Sequence, residues 1–154
     1  MERATQLSDL THEYGAFVEA VQGLTPEQFR SRLGDWTRRD IVAHLIGWNV
    51  NILEGCRAIL VGKSPFYHYD GPNDYRIENA RSIAQYSSTD REALLSQLAA
   101  TLDTLVAYLE QVDPEDWERD TGVRHYRSGP ATVSRCVDSL LRDYRNHSKE
   151  INPD

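Results

Sequence analysis

Cysteine is nearly missing: Cys56 and Cys136 are the only two in 154 residues. Two cysteines make no disulfide framework, so the fold must rest on an apolar core. No apolar run approaches the roughly 18–20 residues that cross a bilayer, which predicts no membrane partner. The start, Met1-Glu2-Arg3-Ala4-Thr5, carries no apolar signal core, and the two absences together predict a cytoplasmic protein. Basic residues are in deficit, with 17 Lys and Arg against 24 Asp and Glu, a net charge of −7. A negative surface repels phosphate backbones, so nucleic acid is not expected as a partner. Nine glycines and six prolines are too few for a low-complexity chain. No alternating run is long enough to predict a strand, and no internal repeat is present.

What is present is helical periodicity within one domain-sized chain. Leu7, Leu10, Tyr14, Phe17, Val18 and Val21 recur at three- and four-residue steps and predict a helix over 2–22. Thr25-Pro26 is a helix-start signature and predicts a short turn of helix near 27–32. Thr37 caps a second long helix, Asp40 sits in its first turn, and Gly62 ends it. Gly47 and Gly55 inside that helix predict close approach of another backbone. Residues 63–74 read as an aromatic-rich loop, and residues 75–86 as a helical segment. A third long helix begins near Ser87-Ser88-Thr89-Asp90, with Thr89 three residues before Glu92, and ends at Asp113-Pro114. Residues 115–130 are irregular, with Trp117 as an anchor. A fourth helix runs from about Ala131 to Ile151. Four long helices with one longer crossing predict an all-α chain, an antiparallel four-helix bundle.

On a helical wheel His44 falls within the inward arc of Ile41, Leu45, Trp48 and Ile52. His147 falls within the inward arc of Val137, Leu140, Tyr144 and Ile151, with Asp143 at its edge. Asp143 and His147 are four apart and share one helix face. Two imidazoles and a carboxylate leave coordination positions open on a metal, as catalytic sites do. Periodicity does not show that the two helices touch at these levels. On periodicity alone, a hydrogen-bonded Asp143–His147 pair with His44 packed nearby stands ahead.

The run Trp36-Thr37-Arg38-Arg39-Asp40-Ile41-Val42-Ala43-His44-Leu45-Ile46-Gly47-Trp48 resembles the second-helix signature of the DinB-like superfamily. That group includes mycothiol-dependent maleylpyruvate isomerase N-terminal domains and the ClbS/DfsB family. Asp143-Tyr144-Arg145-Asn146-His147-Ser148-Lys149-Glu150-Ile151 resembles its fourth-helix H-x-x-x-H-x-x-x-I pattern, with Asp in place of the first His. The resemblance implies a right-handed bundle in up-down-down-up order. It implies a divalent metal, zinc or nickel, on His44, Asp143 and His147, and a homodimer. It also implies transfer of a low-molecular-weight thiol to a small electrophilic substrate in detoxification or stress response. The alternatives are a ClbS/DfsB-like hydrolase of a reactive metabolite and a non-catalytic binding bundle.

Other side chains have two readings each. Tyr67, His68 and Tyr69 form either a lid over the site or a cluster packed on the bundle end. Arg38 and Arg39 either attract an acidic substrate or thiol cofactor, or are solvated. Tyr144 is either a proton donor or a core residue. Arg124-His125-Tyr126-Arg127 is a single basic-aromatic run, too little to predict nucleic-acid binding. Cys56 and Cys136 lie at inward arcs and read as buried, inert thiols.

Overall fold

A computed structural model describes residues 2–68, 75–86, 90–125 and 128–153. The predicted Thr89 cap, Tyr69, Tyr126 and Arg127 lie outside the described residues, as does the loop over 70–74. The described elements are α1 (Arg3–Gln22), α2 (Pro26–Phe29), β1 (Arg32–Leu33), β2 (Trp36–Thr37), α3 (Arg38–Leu60), α4 (Arg76–Tyr86), α5 (Arg91–Gln111) and α6 (Val133–Glu150), with a 3₁₀ turn at Pro114–Asp116.

Local chemistry sets these ends. Thr25 and Gln28 form a reciprocal capping box on α2, and Thr37 and Asp40 form one on α3. Gly62, at φ +77°, closes α3 in a conformation other residues seldom adopt. Asp90 caps α5 by accepting from the Glu92 amide, and Thr132 caps α6 by accepting from the Arg135 amide. The two strands are two residues each, too short to leave an alternating pattern in the sequence. Their hairpin pairs Arg32 with Thr37 and Leu33 with Trp36. It delivers Thr37 to the start of α3 and lays the Trp36 ring 5.0 Å from that of His44.

The long helices pack in a bundle, α1 on α6 and α3 on α5 and α6. Gln6 meets Ser134 and Glu13 meets Arg145, so α1 and α6 run parallel. Asn49 meets Thr101 and Arg57 lies over Tyr108, so α3 and α5 run parallel too. His44 meets Asp143 and Cys56 meets Cys136, so α3 and α6 run antiparallel. The order is therefore up-down-down-up. A strictly alternating bundle would need a short turn between α3 and α5. The long connection through α4 instead returns the chain to the end where α3 began, and this is why α5 repeats its direction.

The core fills the bundle with Leu10, Phe17, Leu45, Ile46, Leu94, Leu98, Leu105 and Tyr144, all fully buried. Burying a Leu or Phe side chain contributes roughly 1.5–3 kcal/mol, so this layer dominates the stability. Of the two glycines of α3, Gly47 meets Ser82, whose Cα would lie 3.4 Å from an added Cβ, and Gly55 meets the Tyr67 side chain. A Cβ on Gly47 would stand 2.0 Å from Ser82 Oγ, and one on Gly55 would stand 2.3 Å from the Tyr67 hydroxyl. Gly47 thus lets α4 lie against α3, and Gly55 receives the aromatic loop.

Candidate metal centre

His44 belongs to the second turn of α3, and Asp143 and His147 lie one above the other on α6. The antiparallel contact of the two helices brings all three together. His44 Nε2 is 2.9 Å from Asp143 Oδ2, and His147 Nε2 is 3.1 Å from Asp143 Oδ1. One ligand atom from each residue lies within 4.8 Å of the others. The two imidazole rings are 5.1 Å apart, edge to face.

The outer nitrogens are held as firmly as the inner ones. Asn79 of α4 places Oδ1 3.1 Å from His44 Nδ1. The Trp48 indole N–H donates to the same Oδ1 at 2.7 Å, which marks that atom as the acceptor. His147 Nδ1 is hydrogen-bonded to Glu150 Oε1, one turn further along α6. Each imidazole therefore has an acceptor at both nitrogens, whereas a neutral imidazole has one proton to give. With that proton on the outer nitrogen, both Nε2 atoms turn lone pairs toward the Asp143 carboxylate. A cation between them satisfies all three groups at once. Outer-nitrogen bonds to a carboxylate or an amide oxygen are how metal-binding histidines are oriented. On this donor chemistry the residues fit a divalent ion.

Without an ion, protons hold the same cluster together. Burial alone raises a carboxyl, but hydrogen bonds from His147 and His44, with their charges, hold Asp143 far below its ordinary range. Burial lowers His147, and the Asp143 bond and charge, followed by those of Glu150, outweigh it and raise the imidazole above its ordinary value. His44 is buried, His147 keeps 13% of its side chain exposed, and Asp143 keeps 33%. Asp143 is one methylene shorter than Glu, yet both of its oxygens reach an imidazole.

A cavity of about 330 Å³ opens beside this cluster. His44 and Asp143 line it, and Trp48, Ile52, Tyr67 and Leu140 give it an apolar wall. His68, His125, Arg142 and Cys136 also face it. Burial lowers the His68 imidazole below its ordinary value. Arg142 pairs with Asp138 at 3.1 Å and keeps about half of its side chain, 53%, exposed.

The remaining sequence candidates divide. Tyr67 packs its ring against Trp48 at 5.1 Å and is buried, so it forms cavity wall. Arg38 is neither solvated nor in the cavity. Its guanidinium donates to the Ile151 carbonyl at 2.6 Å and to Ser31 Oγ at 2.7 Å, tying the start of α3 to the end of α6. Arg39 does not line the cavity, and its Nε is buried without a partner among the described residues. Tyr144 is fully buried and donates to Asn49 Oδ1 at 2.9 Å, which is a core role. Both cysteines are buried as expected, but Cys136 also forms part of the cavity wall. Sequence reasoning missed Asn79 and Glu150. Glu150 was accessible, being on the His147 face one turn away. Asn79 lies in the polar α4, where no periodicity singles out one amide.

Residues 9–151 match the family model described as the mycothiol maleylpyruvate isomerase N-terminal domain. No curated protein sequence matches the chain at a significant level. Several solved structures share the fold, among them three with telling names. The colibactin self-resistance protein ClbS, solved in complex with a dsDNA, has a TM-score of 0.77 at 19% identity, covering 97% of this chain and 93% of that one. DfsB, a sibling lethal factor precursor, has a TM-score of 0.78 at 17% identity, covering 98% and 93%. The mycothiol-dependent maleylpyruvate isomerase has a TM-score of 0.78 at 14% identity, covering 98% of this chain and 61% of that one. The chain thus spans less than two thirds of the isomerase.

The ClbS complex corrects one expectation. Net charge does not exclude nucleic acid as a partner for this fold, since ClbS was solved with a duplex. The physical reason is that −7 is a sum over the whole surface, whereas a duplex meets a local patch. Among the described residues no helix is long and apolar enough to cross a membrane.

Proposed function

From the premise that this chain belongs to the mycothiol maleylpyruvate isomerase N-terminal domain family, we propose that it is a metal-dependent enzyme that joins a low-molecular-weight thiol to a small electrophile. The carrying observation is the convergence of His44 and His147 on Asp143, each imidazole anchored behind by Asn79 or Glu150, beside a cavity. His44, Asp143 and His147 would hold the ion, zinc or nickel by the family resemblance. A divalent ion bound there lowers the pKa of a thiol and favours the thiolate at neutral pH.

The chain's own residues supply the rest. Asn79 and Glu150 fix the direction of both Nε2 lone pairs, so the ligands need not reorganise. Trp48, Ile52 and Leu140 exclude water from the reacting groups, which strengthens every charge interaction inside. His68, on the same wall, is placed to accept the proton that the thiol releases. Arg142, at the solvent edge, draws in an anionic portion of thiol or electrophile.

A second reading has its own support. The chain covers 93% of ClbS and of DfsB but 61% of the isomerase. That likeness in extent to ClbS and DfsB supports a hydrolase acting on a reactive metabolite. Under this reading the ClbS complex brings nucleic acid in as a partner, and fluorescence anisotropy with a short duplex at low salt tests that contact.

The deciding experiment loads the purified protein with zinc or nickel and incubates it with a thiol and a small electrophile. Mycothiol, bacillithiol and glutathione are compared. Thiol consumption above the uncatalysed rate, lost in His44→Ala, supports transfer. Electrophile loss without thiol consumption supports hydrolysis. Neither, in metal-loaded protein, contradicts both.

A further inference from the structure

Cys136 gives the cavity a second reactive group, carried by the first residues of α6 and separate from the metal ligands. The sequence holds two cysteines, and Cys136 is the one that lines the cavity. Two hydrogen-bonding groups neighbour its sulfur. The Tyr67 hydroxyl lies 3.9 Å from Cys136 Sγ. The Cys56 thiol, fully buried on α3, is its second partner.

These three acids are not equivalent. The bond to Cys136, and then burial, push the Cys56 thiol well above its ordinary range. Burial, and then the two neighbouring sulfurs, do the same to Tyr67. Both therefore keep their protons and offer them to Cys136. At Cys136 the Cys56 bond outweighs burial, and the Tyr67 bond and the charge of Arg135 lower the thiol further. The start of α6, capped at Thr132, adds the positive end of a helix dipole. The arrangement favours ionisation at Cys136 over its two neighbours, and the cavity it faces has a partly apolar wall. A chamber of about 330 Å³ admits a small molecule.

We propose that Cys136 is a covalent acceptor for small α,β-unsaturated carbonyl compounds that enter the cavity. The sulfur attacks the β-carbon and a C–S bond forms. The electron pair of the C=C bond moves onto the α-carbon and its carbonyl. The α-carbon then takes up one proton, equal to the one the thiol gave up. Nothing leaves, and no oxidant or metal is needed. The inference stands independently of the metal reading, because none of His44, Asp143 and His147 takes part.

The test treats the metal-free full-length protein with N-ethylmaleimide and follows each cysteine by peptide mass mapping over time. The expected result is one adduct per chain at Cys136, with Cys56 modified at least tenfold more slowly. Cys136→Ser should stay unlabelled under native conditions. Tyr67→Phe and Cys56→Ala should slow labelling of Cys136 several-fold. Labelling of the metal-free protein, with no ion on His44, Asp143 and His147, separates this site from the metal reading. Mapping of the wild-type protein decides the matter even where a variant fails to fold. Labelling of Cys56 as fast as Cys136, no labelling of either before unfolding in urea, or unslowed labelling in Tyr67→Phe would overturn the proposal.

Discussion

Asn79 touches no ion in this arrangement, yet its Oδ1 fixes the ring of His44. Second partners of this kind typically govern metal affinity by about 10–100-fold. Asn79→Ala should weaken zinc binding within that range, measured by competition with a chromogenic chelator. Unchanged affinity would contradict the orienting role. The raised His147 gives a pH prediction for thermal unfolding. Its ordinary value is 6.5. A histidine raised on folding stabilises the fold fully below that value, and this contribution is lost as pH rises through the raised folded value. Metal-free protein should therefore lose this increment on the alkaline side. Zinc reverses the trend, because it takes the lone pair a proton would occupy. The zinc-induced rise in Tm should grow from pH 5.5 to 8, and a rise largest at pH 5.5 would contradict the ligand set. At this scale the inward placement of His44 and His147 was legible, because a polar group is conspicuous in an apolar arc, while their grouping with Asp143 came from the resemblance. Cys136 was legible as buried but not as cavity wall, since a wheel records direction and not empty space.

Helix boundaries were readable where a cap or stop has a side-chain signature, as at Thr25, Thr37 and Gly62. The β1–β2 hairpin was not, because two-residue strands leave no period. Its contribution is positional: it sets Trp36 against His44. The glycines of α3 were visible as anomalies, but the sequence does not say what fills the space above them. Gly47→Ala isolates that question. Alanine is the better helix former by about 1 kcal/mol. Against this, the new Cβ would stand 2.3 Å from Ser82 Cβ, well inside contact. Overpacking of this kind costs about 1–3 kcal/mol, so Gly47→Ala should lower stability on balance. Adding Ser82→Gly should recover part of the loss in urea unfolding. A stabilised single variant would show that α4 does not rest on α3 at Gly47. That contact matters for the site, because α4 carries Asn79.

The direction of the helices decides what the whole molecule can do. Since α6 runs antiparallel to α3, its Asp143 and His147 meet His44, while its start brings Cys136 to the other side of the same cavity. Periodicity along single helices does not contain this pairing. The resemblance to a known bundle supplied the up-down-down-up order, and the long connection through α4 explains it. Whole-molecule charge proved the weakest guide, since an average of −7 says little about any one face. Everything proposed for this site depends on whether the three side chains bind a divalent ion. Metal content of the purified untagged protein should be measured by plasma mass spectrometry, beside a His44→Ala/His147→Ala variant. About one ion per chain is expected in the wild type, lost in the variant. No metal in the wild type, even after incubation with zinc, nickel or iron, would contradict that expectation.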